Sequence, residues 1–307
     1  MIVDPGIQER LARTAQAARR ALQDSALEQV LPGLGAYAEP LAAFQLLLRV
    51  TATETPEELR QLCDSNPQIA ESNGVERSLL LLASQHAASQ VPALPISHRV
   101  KQLFADEFDF YANPSPAWIP HFRHADLRYR EMARIATLRR FPAGQFHWEI
   151  TGLPKSWLLQ TPRVLTLLSH VIGRMGGFAP LFEFHINSRR KNRLVLLEKE
   201  GNISYYRTAQ ALAMQPQVKG LMLASWLYCE GTAKVSPHLA WLRTVPQNGG
   251  ALAVDLGPVP EDAGFLTGSE ERRLLYQQGA YRPRMGCVLW ARRDLIAWAE
   301  QHPEFDQ

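Results

Sequence analysis

The chain has 307 residues, 46% of them hydrophobic and 21% charged, with a formal net charge of +3. This is a globular composition with room for one large domain or two smaller ones. The mild charge gives no reason to expect nucleic acid or an anionic membrane as partner, and no run of about twenty apolar residues is there to span a bilayer. The three cysteines, Cys63, Cys229 and Cys287, are scattered and odd in number. They point away from a disulfide framework or a CxxC zinc site, and towards a reducing compartment.

The first residues, MIVDPGIQERLARTAQ, carry charges throughout and lack the apolar core of a secretory signal. A cytoplasmic location is the expectation. Residues 5–31 predict a helix, with Leu11, Ala15, Ala18, Leu22, Ala26 and Val30 as its apolar stripe and Pro32-Gly33 as its stop. Ala42–Val50 predicts a second helix. Thr55-Pro56-Glu57-Glu58 reads as a capped start with proline at the first position, leading a helix to about Asp64. Val75–Ala88 and Val100–Tyr111 predict two more, and Asn113-Pro114-Ser115-Pro116 breaks the chain. A boundary near 115 follows, with a helical region over 1–115 and an α/β region over 116–307.

Pro120–Pro142 is dense in cations: His121, Arg123, His124, Arg128, Arg130, Arg134, Arg139 and Arg140. Leu127, Met132, Ile135 and Leu138 give it an apolar face. Gln145–Ile150 alternates as a strand, with Phe146, Trp148 and Ile150 on one side and His147 and Glu149 on the other. A helix starts at Thr161-Pro162 and ends at Gly176-Gly177. Pro180–Asn187 is a strand with Phe182, Phe184 and Ile186 on one face and Glu183, His185 and Asn187 on the other. Arg193–Glu200 reads as its neighbouring strand, and Ser204–Met214 as a helix. Val218–Arg292 then reads strand, helix, strand, helix, strand: Val218–Cys229, Val235–Val245, Ala251–Pro258, Ser269–Tyr281 and Met285–Arg292. A short helix, Asp294–Glu300, closes the pattern. Near-continuous apolar runs between helices predict an α/β (α+β) chain in which a mixed sheet is covered by helices.

This element order resembles the GCN5-related N-acetyltransferase superfamily. Three pieces carry the resemblance. VKGLMLASWLY is followed by Val235-Ser236-Pro237, similar to the V-x-P that ends the family's central strand. Arg243 lies ahead of Gly249-Gly250-Ala251, similar to its R-x-x-G-x-G/A pyrophosphate loop. RRLLYQQGAY, Arg272–Tyr281, is similar to its terminal A-x-x-L-Y-x-x-x-G-F helix. The resemblance implies a GNAT-like sheet with a splayed centre. It implies an acyltransferase that takes an acyl group from acyl-CoA or another acyl thioester to an amine or hydroxyl of a small molecule. Met222, Leu223 and Ala224 would line the pantetheine, Arg243, Gly249 and Gly250 would sit near phosphate, and Tyr276 would protonate the leaving thiolate. In the plainer reading Gly249-Gly250 is a turn and Tyr276 a half-buried aromatic.

A second constellation comes from alternation alone. His147 and Glu149 share one strand face, and Glu183 and His185 another. If the strands are neighbours, His147, Glu149 and His185 can meet for proton transfer or hold a metal. Together with Glu183 they are also the clustered choices for the general base of an acyltransferase. No metal is expected, because no ligand-spacing rule is met: the H-x-E at 147–149 lacks the P-C-x-x-C of zinc deaminases. His124-x-Asp126 with a distal His has the pattern of a facial iron triad, which belongs to all-β barrels. Each His is otherwise a polar residue on a solvated or hydrogen-bonded face. The Arg-rich helix 123–140 offers bidentate contacts to an acidic partner, the third alternative being a non-catalytic binding protein. Trp118, Trp148 and Trp157 would line a ligand pocket or fill the core. No P-loop, G-x-G-x-x-G, G-x-S-x-G or H-E-x-x-H occurs. A small-molecule substrate is expected, without nucleic acid or membrane, and a homodimer is left open.

Overall fold

A computed structural model describes residues 4–23, 25–51, 53–65, 74–187, 196–259, 264, 266 and 269–306. The chain divides into two compact units, Met1–Pro142 and Ala143–Gln307. Among the described residues no helix is long and apolar enough to cross a membrane.

The first unit is helical: α1 (Pro5–Leu22), α2 (Ser25–Glu28), α3 (Pro40–Leu48), α4 (Glu57–Asp64), α5 (Gly74–Gln90), α6 (His98–Ala112) and α7 (Leu127–Ala136), closed by a short extended stretch, β1 (Arg140–Pro142). Asp4 caps α1, its Oδ1 accepting from the Gly6 amide at 2.8 Å. Ile7, Leu11, Ala18 and Leu22 are its buried stripe. The helix ends at Leu22 instead of running to 31, and Leu31–Ala38 is a tight turn of 3-10 type, kinked at Gly35. α5 is buried on nearly every side, as an apolar helix at the centre of a bundle must be. Thr55 does not cap α4. Pro56 stands at that position, and the Thr55 hydroxyl donates to the carbonyl of His124 at 3.0 Å.

The division falls at Pro142, beyond the expected boundary near 115, because the basic segment belongs to the helical unit. Tyr111 Oη donates to the Met132 carbonyl at 3.3 Å. The Arg139 guanidinium reaches the carbonyls of Leu48 and Val50 at 2.7 and 2.9 Å, satisfying the end of α3.

The second unit is α/β. It contains β2 (Phe146–Thr151), α8 (Val164–Leu168) with a π-turn at Ser169–Arg174, β3 (Leu181–Ile186), α9 (Glu198–Met214), β4 (Gly220–Ser225), α10 (Glu230–Val235), α11 (Trp241–Asn248), β5 (Leu252–Pro258), α12 (Glu270–Gln277), β6 (Arg284–Ala291) and α13 (Arg292–Glu300). Among the described residues its five strands follow the order β2-β3-β4-β6-β5. β3 and β4 are parallel, with α9 in their connection, and the other three pairs are antiparallel. One face is aromatic: Phe146, Phe184, Tyr205 and Trp241 meet there, and Tyr205 also touches Trp290 and Trp298. On the other face Leu181, Met222, Val254, Cys287 and Leu289 pack with Leu167, Val171 and Met175 of α8 and its π-turn.

Three elements differ from expectation. Of the strand expected over Arg193–Glu200, residues 193–195 lie outside the described residues and Glu198 already begins α9. The leucine run imitates a strand, but Glu198 and Glu200 suit the first turn of a helix. Leu197 is clamped just before it, its amide donating to Gln145 Oε1 at 2.9 Å and its carbonyl accepting from Gln145 Nε2 at 3.3 Å. The strand expected over Val218–Cys229 stops at Ser225, whose hydroxyl accepts from the Leu227 amide and starts a 3-10 turn, Trp226–Tyr228. Finally, Val235–Val245 is not one helix. α10 ends at Val235 and Pro237 opens a new turn ahead of α11.

Candidate active site at the carboxyl ends of β3 and β4

β2 and β3 place four polar side chains on one face. The register sets His147 opposite His185 and Glu149 opposite Glu183. It follows from the aromatic residues between them: Phe146, Trp148, Phe182 and Phe184 must face the aromatic core, and period two turns their neighbours the other way. His185 Nε2 lies 3.8 Å from Glu149 Oε1, on the diagonal of the two opposed pairs. The Glu149 side chain is only 4% exposed, whereas that of His185 is 29% exposed, so His185 is the member that a substrate can reach. Glu183 extends its field along the same face. Burial first, and then Glu183, pushes the Cys287 thiol up to about 12.

His185 also sits where β3 and β4 part. Their ladder consists of Phe182–Leu221, Glu183–Met222 and Phe184–Leu223. β3 runs on to Ile186 and β4 to Ser225, both past the last rung. β4 stays paired with β6 over its whole length, from Gly220–Ala291 to Ser225–Gly286. Among the described residues Ala224 and Ser225 therefore lie past the last β3–β4 rung, an opening in the ladder at the carboxyl ends of two parallel strands, the end at which open α/β sheets take ligands.

Of the residues expected along the pantetheine, Met222 and Leu223 are rungs to both neighbours, and only Ala224 lies at the opening. Arg243 is engaged elsewhere: its Nη1 donates to the Tyr228 carbonyl at 2.7 Å and to Asp255 Oδ1 at 2.8 Å, pinning the chain that leaves β4. Val235-Ser236-Pro237 stands at the end of α10 and ends no strand.

Gly249 and Gly250 form the turn from α11 to β5. The registers Leu252–Leu289 and Met222–Leu289 put this turn at the Gly220 end of β4, across the sheet from the opening. A Cβ at Gly249 would lie 2.3 Å from the Trp290 ring, and Gly250 has φ +90°, so packing and turn geometry account for the pair. They line a cleft of about 460 Å³ whose walls include Glu198 and Asp294, a poor setting for pyrophosphate. Arg174, beside Gly250, is held in a two-point ion pair with Asp294.

Tyr276 is half-buried on α12, with the Arg282 guanidinium 4.7 Å from its ring centre. α12 connects β5 and β6, so β4 stands between it and the β2–β3 pair in the sheet. The structure brings together His147, Glu149 and His185. A residue the sequence does not single out lies beside the opening. Arg272 of α12 stacks 5.1 Å over Trp226, its Nη1 donates to Ser236 Oγ at 3.1 Å, and burial lowers its pKa. Its only sequence signal is the Ser269 cap that orients α12.

The basic helix is shorter than its charge run, and many of its cations work within their own unit. Arg134 and Arg140 are buried. Arg140 pairs with Glu131 at 3.4 Å, and Arg128 lies 5.3 Å over the Trp118 ring. Trp148 is a core residue, and Trp157 packs on the α8 side of the sheet. His124 and Asp126 do not act as one ligand set: His124 bonds Glu76, and Asp126 bonds His121 and caps α7. Comparison with family models, with curated proteins and with solved structures finds no match for this chain.

Proposed function

We propose that this chain is an acyltransferase that moves an acyl group from an acyl thioester, carried by CoA or a carrier protein, to an amine or hydroxyl of a small molecule. The proposal rests on the early end of the β3–β4 ladder, beyond which, among the described residues, Ala224-Ser225 has no β3 partner and can offer its β3-side backbone groups to an extended thioester arm. Such an arm would bind as an added strand does, through main-chain hydrogen bonds. His185 stands at the margin of that opening and takes the proton from the acceptor as its nitrogen or oxygen attacks the thioester carbonyl. Glu149, 3.8 Å away and buried, holds the imidazolium that forms. The C–S bond then breaks and the departing thiolate takes a proton from the imidazolium, returning His185 to its neutral state.

The opposed pair His147 and His185 favours a second reading, a His/Glu-dependent reaction on a small molecule without a thioester. Thermal shift separates the two. Acetyl-CoA or a longer acyl-CoA at about 100 times its Kd stabilises the folded chain by about 2.7 kcal/mol, and His185→Gln retains that stabilisation while losing transfer. Absence of any stabilisation by free acyl-CoA or by an acylated carrier protein rejects the acyltransferase.

A further inference from the structure

We propose that Cys63, Glu76 and His124 of the first unit form a site for a divalent first-row cation of the zinc class. Cys63 is in the last turn of α4, Glu76 in the first turn of α5, and His124 in the loop that leads into α7. One donor atom from each lies within 4.8 Å of the other two. A thiol, an imidazole and a carboxylate are the donor set that zinc takes in mixed sites, usually with water as fourth ligand.

The cluster is built. Cys63 and Glu76 are each 4% exposed, and His124 gives it a half-open side. Oε1 of Glu76 accepts from the His124 amide at 3.2 Å and faces His124 Nδ1 at 3.1 Å. That 3.1 Å edge is close to the roughly 3.3 Å between two ligand atoms of a tetrahedral zinc ion with bonds of about 2.05 Å. Two further hydrogen bonds hold the frame: Tyr129 Oη donates to the Glu76 carbonyl at 3.2 Å, and Thr55 Oγ1 to the His124 carbonyl.

The second oxygen of Glu76 points to a ligand. Oε2 is buried and, among the described residues, no nitrogen or oxygen donor reaches it. The group that leans on this carboxylate is the Cys63 thiol, a weak donor. A buried carboxylate oxygen without a strong partner is costly, and a cation removes that cost. On binding, Cys63 loses its proton to solvent and binds as thiolate. His124 carries its ring proton on Nε2, leaving Nδ1 to the metal. One proton is released per ion.

Cobalt(II) titration of the metal-free full-length protein tests the site. The expected result is one equivalent bound, with a thiolate-to-cobalt charge-transfer band and visible bands of tetrahedral intensity, both abolished by added zinc. Cys63→Ser, which keeps size and an oxygen donor, loses the charge-transfer band. His124→Gln, on the half-open side, weakens affinity at least about tenfold. Circular dichroism confirms that both variants are folded. Cys229 and Cys287 remain in each and serve as internal controls. Absence of a charge-transfer band in the folded wild type, or one that survives Cys63→Ser, overturns the proposal.

Discussion

His147 and His185 stand directly opposite one another across the antiparallel ladder of β2 and β3. Side chains so placed have Cβ atoms about 5 Å apart. The next pair on that face, Glu149 and Glu183, would repel if it stood alone, and the imidazole of His185 reaches diagonally to Glu149 to offset it. Acid and base are thereby held on two strands of a packed sheet, whose positions are fixed more firmly than those of loop residues.

The first prediction concerns this diagonal. His185→Gln and Glu149→Gln each lower kcat for acyl transfer by about 10²–10⁴-fold, the usual contribution of a positioned base, and leave thioester affinity unchanged. Release of free thiol with a panel of small amines and alcohols measures the rate. Turnover within twofold of wild type in both variants places the base elsewhere.

The faces of β2 and β3 are legible in the sequence because alternation assigns each side chain to a side. Phe146 and Trp148 demand the core, so His147 and Glu149 must lie opposite. What alternation cannot supply is which strands are neighbours, since α8 and its π-turn intervene between β2 and β3. The Cys63, Glu76 and His124 cluster is invisible for the same reason. Its three residues obey no spacing rule and meet only through the packing of α4, α5 and the loop before α7. Arg243 and Gly249-Gly250 show the opposite failure. Their motif is legible, but Asp255 and Trp290, which explain them, become neighbours only once the sheet forms.

The second prediction tests the opening. Gly286 faces Ser225, and a Cβ there would lie 2.2 Å from the Cys229 nitrogen and from the Tyr228 carbonyl carbon. These are backbone atoms, so Gly286→Ala must displace the chain that leaves β4. The expected cost is about 1–3 kcal/mol in denaturant unfolding, together with weaker binding of acyl thioester. Gly173→Ala is the control: nothing lies within 4 Å of its Cβ, and the change is neutral or slightly stabilising.

The third prediction concerns the aromatic core. Tyr205 is fully buried between Phe184 and Trp290, and among the described residues no hydrogen-bond partner reaches its hydroxyl. Burial raises its pKa well above the ordinary value, so it stays neutral and polar in an apolar setting. Tyr205→Phe keeps the ring contacts and removes the orphaned group. Stability is expected to be unchanged or higher by about 1 kcal/mol, and a loss of that size in a urea titration would show that the hydroxyl has a partner.

The last prediction is a pH dependence with a definite sign. His170, in the π-turn after α8, donates from Nε2 to the Leu289 carbonyl at 3.1 Å, which ties that turn to β6. Its pKa is lowered from the ordinary 6.5, first by burial and also by Arg174, against opposing effects of the Leu289 hydrogen bond and Asp294. A histidine with a lowered folded pKa binds its proton less readily in the folded chain than in the unfolded one. Stability from this residue is therefore fully present above about pH 6.5 and falls as the pH drops from there to the folded value, below which it levels off. His170→Gln keeps an N–H for Leu289 and removes the titration. Urea midpoints measured between about pH 8 and pH 5 should fall more steeply for wild type than for the variant, the remaining histidines titrating alike in both. Parallel curves would mean that His170 accepts its proton without cost, and that its bond to Leu289 does not depend on a neutral ring.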